Sequence, residues 1–272
     1  MAALSISDAW DETKARIASD GRLYLVVAAA LLALPALVAG VIDPKASEGP
    51  RSMGSGILFL VVSLIAVVGQ LALIRLAVGR SVSVGEAIGH GARRMPFYVV
   101  AGLLIAVALF IAAIPFVAVG IAGGVPMTGP GIVHSRLGLF LMLLFFALVC
   151  FIGIRMLMSS PVASEEGVGP IGILKRSWQL TAGHWWRLFG FLLLFLIGAA
   201  ILVSAINWTI GSVAQMLLGP IEPMSASALI VAIVDAVVNA GITVLLAVML
   251  ARIYVQLSGR EAIDVSVPSS GT

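Results

Sequence analysis

Apolar positions in this chain come in long unbroken runs, and polar positions are confined to the gaps between them. Six runs stand out, roughly Leu23–Ile42, Gly56–Val78, Phe97–Ala122, Leu137–Met158, Leu188–Trp208 and Ala228–Leu250. A bilayer core about 30 Å thick is crossed by about 20 helical residues at 1.5 Å each, so each run is long enough to cross. Helices are expected, because in lipid every backbone polar group must be bonded within its own segment. The period of two that barrel strands require is missing from these runs.

Shorter amphipathic stretches precede the first, third and fifth runs. Ser5-Ile6-Ser7-Asp8 and Ser83-Val84-Gly85-Glu86 both fit a capping box, and Gly169-Pro170 fits a cap with proline at the first helical position. Residues at helical spacing follow: Ile6, Ala9, Trp10, Thr13 and Ile17, then Val84, Ala87, Ile88 and Met95, then Ile171, Leu174, Trp178 and Ala182. These stretches are too short and too polar to span. They are predicted to lie as interfacial helices on the membrane surface, the alternative being loops folded against the bundle.

The chain therefore reads as three pseudo-repeats, about residues 5–80, 83–158 and 167–258. Each has an amphipathic helix, a span out, a turn and a span back. Pro35 and Pro115, each followed by glycine five residues on (Gly40, Gly120), predict kinks in two outgoing spans. The third unit lacks this proline. The returning spans end on Arg75, Arg155 and Arg252, which are placed to snorkel to headgroups. Residues 259–272, closing on Pro268-Ser269-Ser270-Gly271-Thr272, are expected to form a disordered cytoplasmic tail.

Composition agrees. Of 272 residues, 61% are hydrophobic and 11% charged, with a mean hydropathy of +1.14. Soluble domains are about half apolar and a quarter charged, so a water-soluble globule or sheet-based enzyme is excluded. The net charge of +3 is small, but its placement is informative. With the N-terminus cytoplasmic, all but three of the sixteen Lys and Arg fall on the inner side, the exceptions being Lys45, Arg51 and Arg136. That is a strong positive-inside signal. Tyr24, Tyr98, Tyr254, Trp185 and Trp186 lie at the same helix ends, where amphipathic rings anchor. The outer connections are short and turn-forming, as in Gly123-Gly124-Val125-Pro126, Gly129-Pro130-Gly131 and Gly219-Pro220. Asp8, Asp11, Glu12 and Asp20 before the first run do not fit a secretory signal, whose first region is short and basic.

Chemical motifs are sparse. Gly167-Val168-Gly169-Pro170-Ile171-Gly172 matches G-x-G-x-x-G by letter, but a span precedes it where a nucleotide site needs a strand. His90, His134 and His184 are far apart, and none has a Cys or His at metal-ligand spacing. No G-x-S-x-G elbow or H-E-x-x-H pair occurs in the chain, and Cys150, the single cysteine, has no base near it in sequence. No cofactor or metal is expected.

The one acid within a span is Asp235, whose charge is costly there and belongs on the bundle interior. Ala232, Asp235, Ala236, Asn239, Ala240 and Thr243 share a small, polar stripe. Gln70 and Asn207 sit at comparable depth, so Asp235, Asn239, Gln70 and Asn207 form the candidate intramembrane cluster. Two readings stay open for it: hydrogen-bonded glue between helices, or the lining of a polar cavity for a proton, ion or headgroup. Candidate headgroup and interface contacts are Arg75, Arg93, Arg94, Arg155, Lys175, Arg176, Trp178, Trp185, Trp186, Arg187 and Arg252.

Ser160-Pro161-Val162, Glu165-Glu166-Gly167, Ile173-Leu174-Lys175-Arg176-Ser177-Trp178-Gln179-Leu180-Thr181 and Trp186-Arg187-Leu188-Phe189-Gly190, with the closing Ile253-Tyr254-Val255-Gln256-Leu257, carry a resemblance. The chain resembles the bacterial glycerophosphoryl diester phosphodiesterase membrane domain and its six-span relatives of uncharacterised role. The resemblance implies a multi-pass protein of the bacterial inner membrane, with both termini cytoplasmic by the charge count. In some relatives a separate soluble barrel carries the catalysis; no position here matches its catalytic motif, so none is carried over.

The expectation is an all-α membrane protein, one six-helix domain over residues 1–258, that is non-enzymatic and binds lipid or partner proteins through its inner face. A transporter or permease-like component using the Asp235 cluster is the alternative. The expected partners are the bilayer with its anionic headgroups and unidentified proteins, with no nucleic acid.

Overall fold

The computed structural model describes residues 5–43, 53–78, 82–126 and 135–259, and every regular element among them is helical. Lys45, Arg51, Arg80, His134, Arg260, the Gly129-Pro130-Gly131 turn and the predicted tail beyond Gly259 lie outside the described residues. The helices are α1 (Ile6–Ile42), α2 (Met53–Ala77), α3 (Val84–Ala122), α4 (Arg136–Arg155), α5 (Ser159–Glu165), α6 (Pro170–Thr181), α7 (Trp185–Leu218) and α8 (Ala226–Ser258). Six helical stretches (α1, α2, α3, α4 with α5, α7 and α8) are long and apolar enough to cross a membrane.

Four of the predicted runs fall inside single helices, the second overruns α2 by one residue, and the fourth runs past the end of α4 into the turn before α5; most of the helices are longer than their runs. The amphipathic stretches before the first and third spans are not separate helices; each runs without interruption into its span. At 39 residues α3 is about 58 Å long, almost twice the hydrocarbon thickness. The reason is local. Gly21 costs an interior helix only about 1 kcal/mol, and Pro96 is accommodated within α3. Only the third stretch stands apart as α6, because the chain breaks at Gly183, whose φ is +83°.

The predicted N-caps form, but of the two predicted capping boxes only that at Ser83 closes; the Ser5 N–H donates instead to Gln256 Oε1 at 3.3 Å. Ser5 and Ser83 accept the backbone N–H of Asp8 and Glu86, and Glu86 returns the bond to the N–H of Ser83, closing a full capping box. Gly169 caps α6, with Pro170 as its first residue. Pro35 follows a π-helical segment, Ala29–Ala33. A proline ring crowds the carbonyl four residues back, here Leu31, and the wider turn makes room for it. Pro115 lies inside uninterrupted helix.

The core sits at one end of the bundle, called here the basic end. Residues 247–255 of α8 are buried on all sides. On one flank they meet Met158, Val162, Ile173 and Leu188, and on the other Tyr24, Val27, Leu73 and Ala77. Toward the opposite end the helices open. None of the most apolar window of α7 is buried, and only 6% of that of α3. In lipid such faces carry no penalty, since acyl chains are as apolar as leucine.

Candidate functional site

The site is built around the short helix α5 and the two acids that follow its buried turn. Residues 159–164 are all buried. A buried helix end must find partners for its last carbonyls, and α3 supplies them. Arg94 donates from Nε to the Ala163 carbonyl at 2.9 Å and from Nη2 to the carbonyls of Glu166 and Val168. His90 Nε2 lies 2.6 Å from the Ser164 carbonyl, so that nitrogen carries the proton. Cations at a helix C-terminus also complement its dipole. The Ser164 hydroxyl donates to the Leu71 carbonyl at 3.1 Å, tying α5 to α2.

Both acids are held by side chains from other helices. Arg75 of α2 donates to Glu165, whose side chain is fully buried, at 2.9 Å. Arg176 of α6 and the Tyr254 hydroxyl of α8 both donate to Glu166 Oε1 at 3.0 Å. Helices α2, α3, α6 and α8 thus meet on one polar hub. A second buried cation completes this end: Arg252 is 2% exposed, donates to the Ala77 carbonyl, and has Glu12 of α1 at 3.9 Å.

Arg75, Arg94, Arg176 and Arg252, predicted as headgroup contacts, therefore have protein acceptors. Arg155 lies over the rings of Trp178 (4.9 Å) and Phe151 (5.4 Å), while its carbonyl accepts from Ser177 and Thr181. Trp185 stacks on Phe189 with ring centroids 5.2 Å apart. Arg93, Lys175 and Arg187 are exposed, as are Trp178 and, at 77%, Trp186. The structure thus divides the predicted set into an inward hub and an exposed rim. Sequence reasoning did not single out Glu165, Glu166 or His90 as partners of these arginines. The available signal was a pair of adjacent acids in a chain only 11% charged, at the ends where the cations gather.

The intramembrane cluster is smaller than predicted. Asp235 Oδ1 accepts from Asn207 of α7 at 3.2 Å and from Asn239 at 2.9 Å. Gln70 makes no hydrogen bond with them. The single stripe is also split. Ala232, Ala236 and Ala240 are buried, and a Cβ placed on Gly40 of α1 would stand 3.1 Å from Ala232 Cβ. Asp235 instead faces α7, and Thr243 bonds back to the Asn239 carbonyl of its own helix. Among the described residues no three His, Cys, Asp or Glu side chains come together as metal ligands.

Described residues whose regular elements are all helical, with six helical stretches long and apolar enough to cross a membrane, suggest a membrane protein, and the geometry alone attaches no chemistry to it. Residues 5–257 match the family described as Domain of unknown function (DUF7847), and the chain belongs to that family. No curated protein and no solved structure matches it.

Proposed function

We propose that the protein is a non-enzymatic, lipid-binding organiser of the bacterial inner membrane, with both termini cytoplasmic and its basic end at the inner leaflet. The observation that carries this is the exposed rim of Arg93, Lys175, Arg187, Trp178 and Trp186 beside a hub that engages Arg75, Arg94 and Arg176. Cations near an anionic surface contribute about 1 kcal/mol each, and exposed tryptophans seat at the headgroup level. Three related units, each led by an amphipathic stretch, and kinship with glycerophosphoryl diester phosphodiesterase membrane domains belong to the same reading. Both rest on the segments quoted from the sequence.

A transport role rests on Asp235. Its carboxylate is engaged by Asn207 and Asn239 across α7 and α8, which supports a bracket between helices over an ion site.

The test is the lipid that the protein retains. In nanodiscs of phosphatidylcholine and phosphatidylglycerol, the protein is expected to enrich phosphatidylglycerol around itself several-fold over bulk, as a few headgroup contacts of about 1 kcal/mol each would give. The triple variant Arg93→Gln, Lys175→Gln, Trp178→Ala should lose that enrichment. Equal composition around wild type and variant would overturn the proposal, and ion flux abolished by Asp235→Asn would favour transport.

A further inference from the structure

A groove of about 610 Å³ runs along the seam between α7 and α8. Phe191, Gly198 and Leu202 of α7 and Ile242 and Met249 of α8 wall it, and Trp10 near the start of α1 borders it. Apart from Ser7 and the indole of Trp10, its lining side chains are apolar. From these dimensions we infer that it binds one acyl chain of an anionic phospholipid from the leaflet at the basic end. The inference rests on the lipid-binding reading above and gives it a specific seat.

Length and charge narrow the occupant, and the width admits it. From Phe191 to Leu202 the helix rises about 16 Å, and half a bilayer core is about 15 Å, so the groove matches the hydrocarbon depth of one leaflet. It is wide enough for an extended hydrocarbon whose contacts fall at about 4–4.5 Å. Arg187 stands one turn before Phe191 on the same face of α7, beyond the apolar walls and exposed. A phosphate at the groove's basic end would meet that guanidinium. Glycine at 198 keeps the seam open: a Cβ added there meets nothing within 4 Å.

That open space makes position 198 the place to test, because it lines the groove and a Cβ added there strikes nothing. The full chain is reconstituted in vesicles of phosphatidylcholine containing phosphatidylglycerol with a diazirine in the acyl chain, then photolysed and mapped by peptide. Label should concentrate on residues 191–202 and 242–249 and fall about fivefold in Gly198→Leu, near 1 kcal/mol of affinity, with the melting temperature kept. If that variant melts early, Ala199→Leu on the same wall is read instead. Arg187→Gln should keep labelling by a phosphatidylcholine probe and lose the preference for phosphatidylglycerol. Label spread evenly over the lipid-facing sides of α3 and α4, or unchanged on filling the groove, would overturn the inference. The rim proposal would survive that result if phosphatidylglycerol enrichment persisted, whereas enrichment lost with groove label kept would sink the rim alone.

Discussion

Glu165 sits fully buried in a chain with few charges, and its carboxylate is matched by Arg75 from another helix. Removing one partner of a buried pair leaves an uncompensated charge and costs about 3–5 kcal/mol, while replacing both is far cheaper. Glu165→Ala is therefore expected to lower the thermal midpoint in detergent sharply, and the double variant Arg75→Ala, Glu165→Ala to lose less than the two single effects combined. A cycle with additive effects would show that the contact carries no coupling. The same residues mark how far the sequence could be read. Hydropathy placed Arg75, Arg155 and Arg252 at the ends of spans; Arg75 and Arg155 lie in the last turns of α2 and α4, while Arg252 lies within α8, six residues before its end. Hydropathy could not say where the guanidiniums turn, because an arginine at a helix end reaches headgroups or a neighbouring helix with equal ease. The choice is made by α5, whose carbonyls and following acids need donors, and that need exists only once the loop is buried.

At the level of elements, hydropathy located all six stretches long and apolar enough to cross a membrane, because lipid demands about 20 apolar residues whatever the fold. It placed helix starts late, at Leu23 and Phe97 instead of Ile6 and Val84, since it reports the hydrocarbon depth and is silent on where a polar helix continues into water. Packing between helices was less legible. The Asp235 stripe looked continuous on a helical wheel, yet α1 and α7 approach α8 on different faces and divide it. Close approaches by glycine show the same dependence on the partner. A Cβ on Gly91 of α3 would lie 2.7 Å from the Val68 carbonyl of α2, whereas one on Gly89, two residues earlier, meets nothing within 4 Å. Gly91→Ala should thus destabilise by about 1–3 kcal/mol, because backbone must move. Gly89→Ala should be neutral or gain up to about 1 kcal/mol of helix propensity. Thermal midpoints of the two variants in the same detergent check this, and equal effects would refute the close α2–α3 contact.

Across the whole molecule, burial and charge coincide: the buried stretch of α8, the hub and the exposed rim share one end, while toward the opposite end the helices open. Several cations of the basic end are engaged by carbonyls and acids within the fold, and this pairing is compatible with the proposed orientation. The positive-inside bias acts on Lys and Arg within about 15–20 residues of the span ends as the chain inserts, with acids contributing little, before α5 is buried and the arginines are paired. On the proposed orientation, the basic residues near the span ends set the direction first, and Arg75, Arg94, Arg176 and Arg252 then tie the helices together. This order predicts the side of each end. In a Cys150→Ser background, which leaves no native cysteine, Asp11→Cys before the first span should react with a membrane-impermeant maleimide only after permeabilisation. Glu222→Cys, in the connection between α7 and α8, should react in intact spheroplasts. The reverse pattern would invert the protein and move the rim and the groove mouth to the other leaflet, and labelling of both from one side would break the six-span topology itself.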